Sequence, residues 1–363
     1  MGDRFLLPVV ACSGTLDDMR PPEFPELGFY ALAGQPDNTR TLIDEVVSGE
    51  AMGFGTVFAS ERYNRKEAGV QCGALGAVSE RIRIATAATN HNVRHPMVTA
   101  GFALTMQSLT DGRFVLGLGR GIQRLQDAYG ISRITTDQME DTADIMRRLF
   151  RGEVIFNHEG PAGRFPVLHL DSDLDEHLPM CLVAFGDRTL DLGGRCFDDV
   201  VLHTFFNDET TERCVQRVKA AAEGAGRDPA SVRVWSCLAT VGDHLPEERR
   251  LMKTVGRLAT YLQGYGDLLV STNGWDPAAL ERFRADELVA NFPGGIDVLA
   301  TTAELEHVGE LLPEEWLAAS ATGTPVECAT AVRHQLELGC DAVILHGATP
   351  SELEPVVEAY RRA

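Results

Sequence analysis

Several large classes of protein are excluded by what this 363-residue chain lacks. No apolar run is long enough to cross a bilayer. Positive charge is scarce: 33 Lys and Arg stand against 53 Asp and Glu, for a net charge of −20. That balance argues against a nucleic-acid or anionic-membrane surface, which needs a basic patch, but it allows a phosphorylated cofactor held by a few local amides or cations. The eight cysteines form no Cys-x-x-Cys pair and no cluster at metal spacing, as expected of reduced thiols in a cytosolic enzyme. There is no Gly-x-Ser-x-Gly elbow and no Gly-Lys-Ser/Thr phosphate loop, so acyl and phosphoryl transfer have little support. A metal-dependent barrel hydrolase would need a His-x-His pair and later His and Asp ligands. Asn90-His91-Asn92 with isolated His203 and His346 does not supply that set, so no metal is expected. Val9-Val10-Ala11-Cys12 has the form of a lipoprotein cleavage box, but the apolar run before it is short, contains Pro8 and follows Asp3-Arg4. The expectation is a soluble cytoplasmic protein with a small-molecule substrate, and neither a nucleic-acid nor a membrane partner.

The remaining composition, 44% hydrophobic and 24% charged, suits a globular protein with a substantial core. Residues 1–26 carry Pro8, Pro21, Pro22 and Pro25 without a sustained period and read as an N-terminal arm. A rhythm of strands then begins at 27–33, 56–60, 82–88, 113–119, 179–184, 199–204, 232–239 and 341–346. Between them lie helical patterns at 39–52, 70–78, 97–109, 137–150, 189–193, 209–225 and 325–338, while 152–176 is irregular with room for a β-excursion. Eight short apolar strands alternating with helices predict an α/β fold, a (β/α)8 TIM barrel forming a single domain over 27–363. An open doubly wound sheet rarely needs eight such units. Residues 264–322 carry weak helices near 277–290 and 302–312, and lie in a separation of strands seven and eight far beyond an ordinary βα unit. They read as an insertion that lids the top of the barrel.

In parallel α/β folds chemistry sits at the carboxyl ends of the strands. The βαβ unit from Ile82 to Gly119 places Asn90-His91-Asn92-Val93-Arg94-His95-Pro96 at one such end and Gly117-Leu-Gly119-Arg-Gly121 at the other. The glycines end strand four and lack the full dinucleotide fingerprint. Close approach of a flat ligand and a tight βα turn both remain open. Ala184-Phe185-Gly186-Asp187-Arg188-Thr189 is a glycine turn feeding a helix N-terminus, whose free N–H groups suit phosphate. Asp187 capping that helix is compatible with such a site. Glu61-Arg62 follows strand two, and either orients a polar ring or moves a proton, or forms a rim ion pair. His95-Pro96 opens a helix.

Gly53-Phe54, Ser60-Glu61-Arg62, Arg94-His95-Pro96, Gly112-Arg113-Phe114, Leu116-Gly-Leu-Gly-Arg-Gly121 and Gly323-Thr-Pro-Val-Glu327, in this order and spacing, resemble the luciferase-like monooxygenase superfamily. The likeness is greatest to its coenzyme F420-dependent oxidoreductase branch and spans about residues 27–362. The resemblance implies a TIM barrel with an insertion between strands seven and eight, and a homodimer formed on barrel helices. It implies a tricyclic ring across the strand ends, with a non-proline cis peptide at Ala87-Ala88 behind it. Ala88 and Gly119 would then face the ring, Asn90 its polar edge, and Phe185, Gly186, Asp187, Arg188 and Thr189 the phosphate. The implied reaction is hydride transfer between the deazaflavin C5 and a small organic substrate. Related sugar-phosphate dehydrogenases carry a histidine and a glutamate where this chain has Arg62 and Ile122, so their acid–base pair is missing. Glu61 remains as a carboxylate beside the ring or substrate, and His91 or His203 as a proton carrier. FMN in a monooxygenase is the alternative cofactor, and a non-catalytic flavin-binding protein the alternative role.

Overall fold

The structure, a computed structural model, describes residues 21–33, 38–171, 174 and 177–362. Residues 1–20 of the expected N-terminal arm lie outside the described residues, and its last residues belong to the first strand. Strands β1 (Phe24–Tyr30), β2 (Phe54–Ala59), β3 (Arg83–Thr86) and β4 (Phe114–Leu118) are followed by an antiparallel hairpin, β5 (Ile155–Gly160) and β6 (Gly163–Leu168). Next come β7 (Met180–Val183), β8 (Asp199–Val201), β9 (Arg233–Gly242), β10 (Ala321–Gly323) and β11 (Ala342–His346). Eight of them pair in parallel in the order β9-β11-β1-β2-β3-β4-β7-β8, and β8 pairs back onto β9, which closes the barrel. The hairpin supplies the β-excursion within 152–176. The short β10 extends β9 outside the ring of eight.

Successive strand residues point to opposite faces. Val57, Ile84, Phe114 and Leu116 therefore face the surrounding helices, whereas Phe58, Ala85, Val115, Cys181, Val201 and Trp235 fill the barrel. At the floor Asp199 accepts from the Trp235 indole at 2.7 Å and pairs with Arg83 at 3.2 Å. Helices α1 (Thr41–Ala51), α2 (Ala68–Val78), α3 (Pro96–Leu109), α4 (Gln123–Ala128), α5 (Thr136–Phe150), α6 (Asp187–Cys196) and α7 (Asp208–Gly224) follow in turn. Several motifs behind the family likeness have local structural jobs. Pro96 begins α3, and the His95 imidazole accepts from the Met97 N–H at 3.2 Å. Gly323-Thr-Pro-Val-Glu327 is a capping box, in which Thr324 and Glu327 satisfy each other's amides at the start of the helix Pro325–Glu337.

The helical excursion between β9 and β11 starts well before residue 264. It opens with α8 (Glu247–Leu251), passes through one π turn (Met252–Gly256) and continues as α9 (Arg257–Asn273), which kinks at Tyr265. Gly256, Gly264 and Gly266 are the reason that the sequence pattern does not read as a helix there. Shorter helices at Pro277–Ala285, Glu287–Ala290, Ile296–Leu299, Thr302–Leu311 and Glu314–Leu317 complete it.

Candidate active site at the barrel mouth

The ends of β2, β3 and β4 are stitched together by backbone. The Ala87-Ala88 peptide is cis, where the resemblance placed it. Ala87 N–H donates to the Ala59 carbonyl, Glu61 N–H to the Ala88 carbonyl, and Gly119 N–H to the Thr89 carbonyl. A Cβ on Gly119 would come within 2.7 Å of the Ala88 Cβ, and one on Gly117 within 1.6 Å of the Thr86 carbonyl oxygen. These glycines are therefore required by strand packing, whatever else they face. Asn90 uses both ends of its amide on protein: Nδ2 donates to the Gly119 carbonyl at 2.6 Å, and Oδ1 accepts from the Tyr63 hydroxyl.

Glu61 does not pair with its neighbour Arg62. Its carboxylate, only 3% exposed, receives both arms of Arg94 at 2.6 and 3.0 Å and the Thr89 hydroxyl at 2.7 Å. Arg94 also reaches Glu67. This arrangement fixes the β2 and β3 loops to each other and occupies both Glu61 carboxylate oxygens with protein donors. Its place is that of a positioning residue. Arg62 is near enough to Arg257, Asp297, Tyr261 and Tyr265 for their charges to be felt, and no carboxylate among the described residues lies within ion-pair distance of its guanidinium.

At the end of β7, Gly186 stands at the N-cap of α6 without any side-chain cap, and a Cβ there would meet nothing within 4 Å. Thr189 and Leu190 donate to the Gly186 carbonyl, which leaves the first amides of the helix pointing outward. Asp187 does not cap the helix, since Arg217 holds its carboxylate at 2.9 Å. Arg188 is exposed, and Arg120, from the end of β4, is near enough for its charge to be felt there. Open space, free amides and two cations fit a phosphate group.

Sequence reasoning did not find the aromatic cluster opposite. The His203 ring stacks on Phe185 with centroids 4.4 Å apart and planes 8° from parallel, and Tyr261 and Tyr265 meet it edge-on. Its Nδ1 lies 2.8 Å from the Thr204 carbonyl, which can only accept, so that nitrogen carries the proton. Nε2 then accepts from the Tyr265 hydroxyl at 2.9 Å. Burial lowers the His203 pKa to about 4, so the ring is neutral near pH 7. His91 is likewise lowered to about 4 by burial, and its Nδ1 has no partner among the described residues. Neither imidazole therefore acts as a standing cation.

A second feature is the gathering of basic groups beside this cluster. Lys66 donates to the Leu32 carbonyl at 2.8 Å, Lys253 to that of Gly347, and Arg257 pairs with Asp297 at 2.9 Å. Burial pulls Lys66 down to about 7 and Lys253 to about 8. Lys253, Arg257 and Asp297, but not Lys66, line a cavity of about 770 Å³ together with Leu32, Asp44, Glu45 and Thr349. None of the residues expected to contact the ring or the phosphate lines it. Among the described residues no helix is long and apolar enough to cross a membrane, and no three His, Cys, Asp or Glu side chains are grouped to hold a metal.

Comparison with known proteins fits this architecture. The 5,10-methylenetetrahydromethanopterin reductase of Methanolobus tindarius is 27% identical over 300 residues, spanning 81% of this chain and 86% of that one. The coenzyme F420-dependent tetrahydromethanopterin reductase of Methanopyrus kandleri superposes with a TM-score of 0.78 at 17% identity, covering 93% of this chain and 98% of that one. An F420-dependent secondary alcohol dehydrogenase, solved in complex with an F420-acetone adduct, superposes with a TM-score of 0.70 at 16% identity, covering 92% and 97%. At these identities the structural likeness speaks for the fold alone. Residues 25–342, however, match the profile described as luciferase-like monooxygenase, and with that match over most of its length the chain belongs to the luciferase-like monooxygenase family.

Proposed function

We propose that this protein is an oxidoreductase that binds coenzyme F420 across the barrel mouth and passes a hydride between it and a small organic substrate. The observation that carries this reading is the pairing of bare backbone at Ala87-Ala88 and Gly119 with the uncapped N-terminus of α6. The first offers a wall with no side chain larger than the methyls of Ala87 and Ala88, and the second an anion site. The deazaflavin, when bound, supplies the two-electron chemistry. Relatives that use F420 support this choice of cofactor.

Within that reading the protein's residues divide the work. Ala88 and Gly119 face the ring, and Asn90, its amide fixed by Tyr63 and the Gly119 carbonyl, stands at the polar edge. The Phe185–Thr189 turn holds the phosphate through the amides of Asp187 and Arg188, with Arg188 and Arg120 adding charge. Glu61 keeps the loops in register through Arg94 and Thr89. His203, with Nδ1 protonated, presents Nε2 as an acceptor, so the proton held at this point of the mouth belongs to the Tyr265 hydroxyl. The aromatic cluster and the excursion after β9 exclude water. The working form is a homodimer in the cytoplasm.

The family's own description favours one second reading, an FMN-dependent monooxygenase built on the same mouth. Titration of the purified protein with oxidised F420 and with FMN, followed by fluorescence, separates the two. Binding of F420 well above FMN is expected. No binding of F420, with oxygen consumption in the presence of reduced FMN, would replace the first reading by the second.

A further inference from the structure

Of the ten histidines, only His91 and His346 make no hydrogen bond or ion pair through the ring among the described residues. His91 stands on the loop after β3, beyond the wall at Ala87-Ala88. His346 is placed otherwise, at the end of β11. Ala342 and Ile344 of that strand belong to the barrel interior, Val343 and Leu345 to the outer core, so by alternation the His346 ring points into the mouth. It pairs with Ala239 of β9, and the Tyr30 ring of β1 meets it edge-on at 5.4 Å. Its Nδ1 is fully buried and has no partner among the described residues. A buried polar atom left in that state is costly, and in a native fold it calls for a reason.

The order of strands around the barrel supplies it. In the closed ring β9-β11-β1-β2-β3-β4-β7-β8, β11 lies directly across from β4 and β9 directly across from β3. His346 therefore looks over the mouth at the Gly119 and Ala88 wall. The two halves of the mouth differ in kind: Ala87, Gly119 and Val183 are small and apolar, whereas Tyr30, Cys237, His203 and His346 carry polar atoms. A flat ring on the first half leaves its open face toward the second. Within that half His203 Nε2 is already bonded to Tyr265, and Glu61 lies on the other side with both oxygens taken. His346 is the group left free. Burial keeps it neutral, helped by the charges of Arg257, Lys253 and Arg62 and by His203, while burial also keeps Tyr30 and Cys237 protonated. A neutral imidazole beside other uncharged groups complements a hydroxyl or a carbonyl.

We propose that His346 is a catalytic residue and that the substrate is an alcohol or its carbonyl counterpart, bound between the β3–β4 wall and β11 with its oxygen on Nε2 of His346. This rests on the oxidoreductase reading above. In the direction of oxidation the carbinol C–H bond breaks and the hydride, with both electrons, goes to C5 of oxidised F420. The O–H bond breaks and its proton goes to Nε2, while Nδ1 keeps its own, and the C=O double bond forms. The imidazolium then gives its proton to water. Reduction of the carbonyl runs the same steps in reverse. The competing account is a structural one, in which the imidazole only packs against Tyr30.

The test takes the whole chain with F420 and, as probes, propan-2-ol, cyclohexanol and 1-phenylethanol. Turnover is followed by the deazaflavin absorbance, and contact by the ring 15N resonances of His346, assigned by their loss in His346→Gln. At least one alcohol should reduce F420 and shift those resonances. His346→Gln should lower kcat by about 100-fold or more, with F420 affinity and melting temperature within error. Wild-type oxidation should also fall off on acidification below pH 6.5, where the base is protonated, and the variant should lack that limb. Added imidazole should restore activity to His346→Ala. An unchanged kcat in His346→Gln overturns the proposal. So does a lowered melting temperature without rescue by imidazole, which leaves the ring a structural role, and so does a loss of F420 affinity, which gives the ring to the cofactor. F420 binding with neither turnover nor a resonance shift for any of the three alcohols overturns it too, and leaves the cofactor reading standing. No F420 binding removes the cofactor reading itself, and this assignment with it.

Discussion

Around the Glu61 carboxylate stand both arms of Arg94, the Thr89 hydroxyl and, at 3.5 Å, the Ala68 amide. Glutamine in its place keeps the shape, removes the charge and leaves Arg94 with the half-exposed Glu67. Breaking a buried pair by changing one partner costs about 3 kcal/mol. Urea unfolding of Glu61→Gln should show a loss of that order, and a loss below about 0.5 kcal/mol would deny the pair its structural role. His203 gives a prediction in pH. Its pKa is about 4 in the folded protein against an ordinary value of 6.5, so between these the unfolded chain binds more protons. Stability therefore rises with pH through that window, is fully present above 6.5, and is lost as pH falls toward 4. His91 and His346 are shifted in the same direction by burial, and the raised Glu45 opposes them in part. In His203→Phe the slope of unfolding free energy between pH 6 and 4.5 should fall by about 1.4 kcal/mol per pH unit, one proton's worth. Urea melts across that range measure it, and an unchanged slope would show that His203 titrates normally.

At the scale of elements, the N-terminus of α6 can be separated from the stability of the helix. Gly186 has φ of −97°, which any residue adopts, and open space where a side chain would go. Aspartate there completes an N-cap, so the melting temperature should hold or rise slightly. The same carboxylate occupies the amides and repels an anion, so Gly186→Asp should weaken F420 by more than about tenfold. Unchanged affinity would move the phosphate elsewhere. Gly117→Ala behaves differently, because its Cβ would sit 1.6 Å from the Thr86 carbonyl oxygen. It should prevent the pairing of β3 with β4 and yield little folded protein, as measured by circular dichroism of the soluble fraction.

For the whole molecule, the excursion after β9 is not a detachable lid. Leu258, Leu262, Leu269, Trp275, Phe283, Leu305 and Trp316 share one buried core with Phe205, Phe206, Val215 and Val218 of the barrel's second half. The chain's three tryptophans divide between the two places: Trp235 inside the barrel, Trp275 stacked on Trp316 at 4.7 Å in the excursion. A shared core predicts a single unfolding transition. Denaturation followed by fluorescence should therefore give one midpoint when Trp235 alone is kept and the same midpoint when only Trp275 and Trp316 are kept, after correction for each variant's stability. Two separated transitions would make the excursion an independent unit.

By itself the sequence determined whatever neighbouring residues decide. Apolar runs in the strands, apolar spacing along α3 and α5 and Pro96 at a helix start are local signals, and all are where the pattern places them. The glycines around Tyr265 hid α9, because tertiary packing of Leu258, Leu262 and Leu269 outweighs their low helix propensity. Only the tertiary structure decided the partners of charge. Glu61 finds Arg94 and His203 is fixed by Tyr265, across separations of 33 and 62 residues. Such pairings depend on distances of a few ångströms and on burial, quantities that no periodicity in the chain encodes.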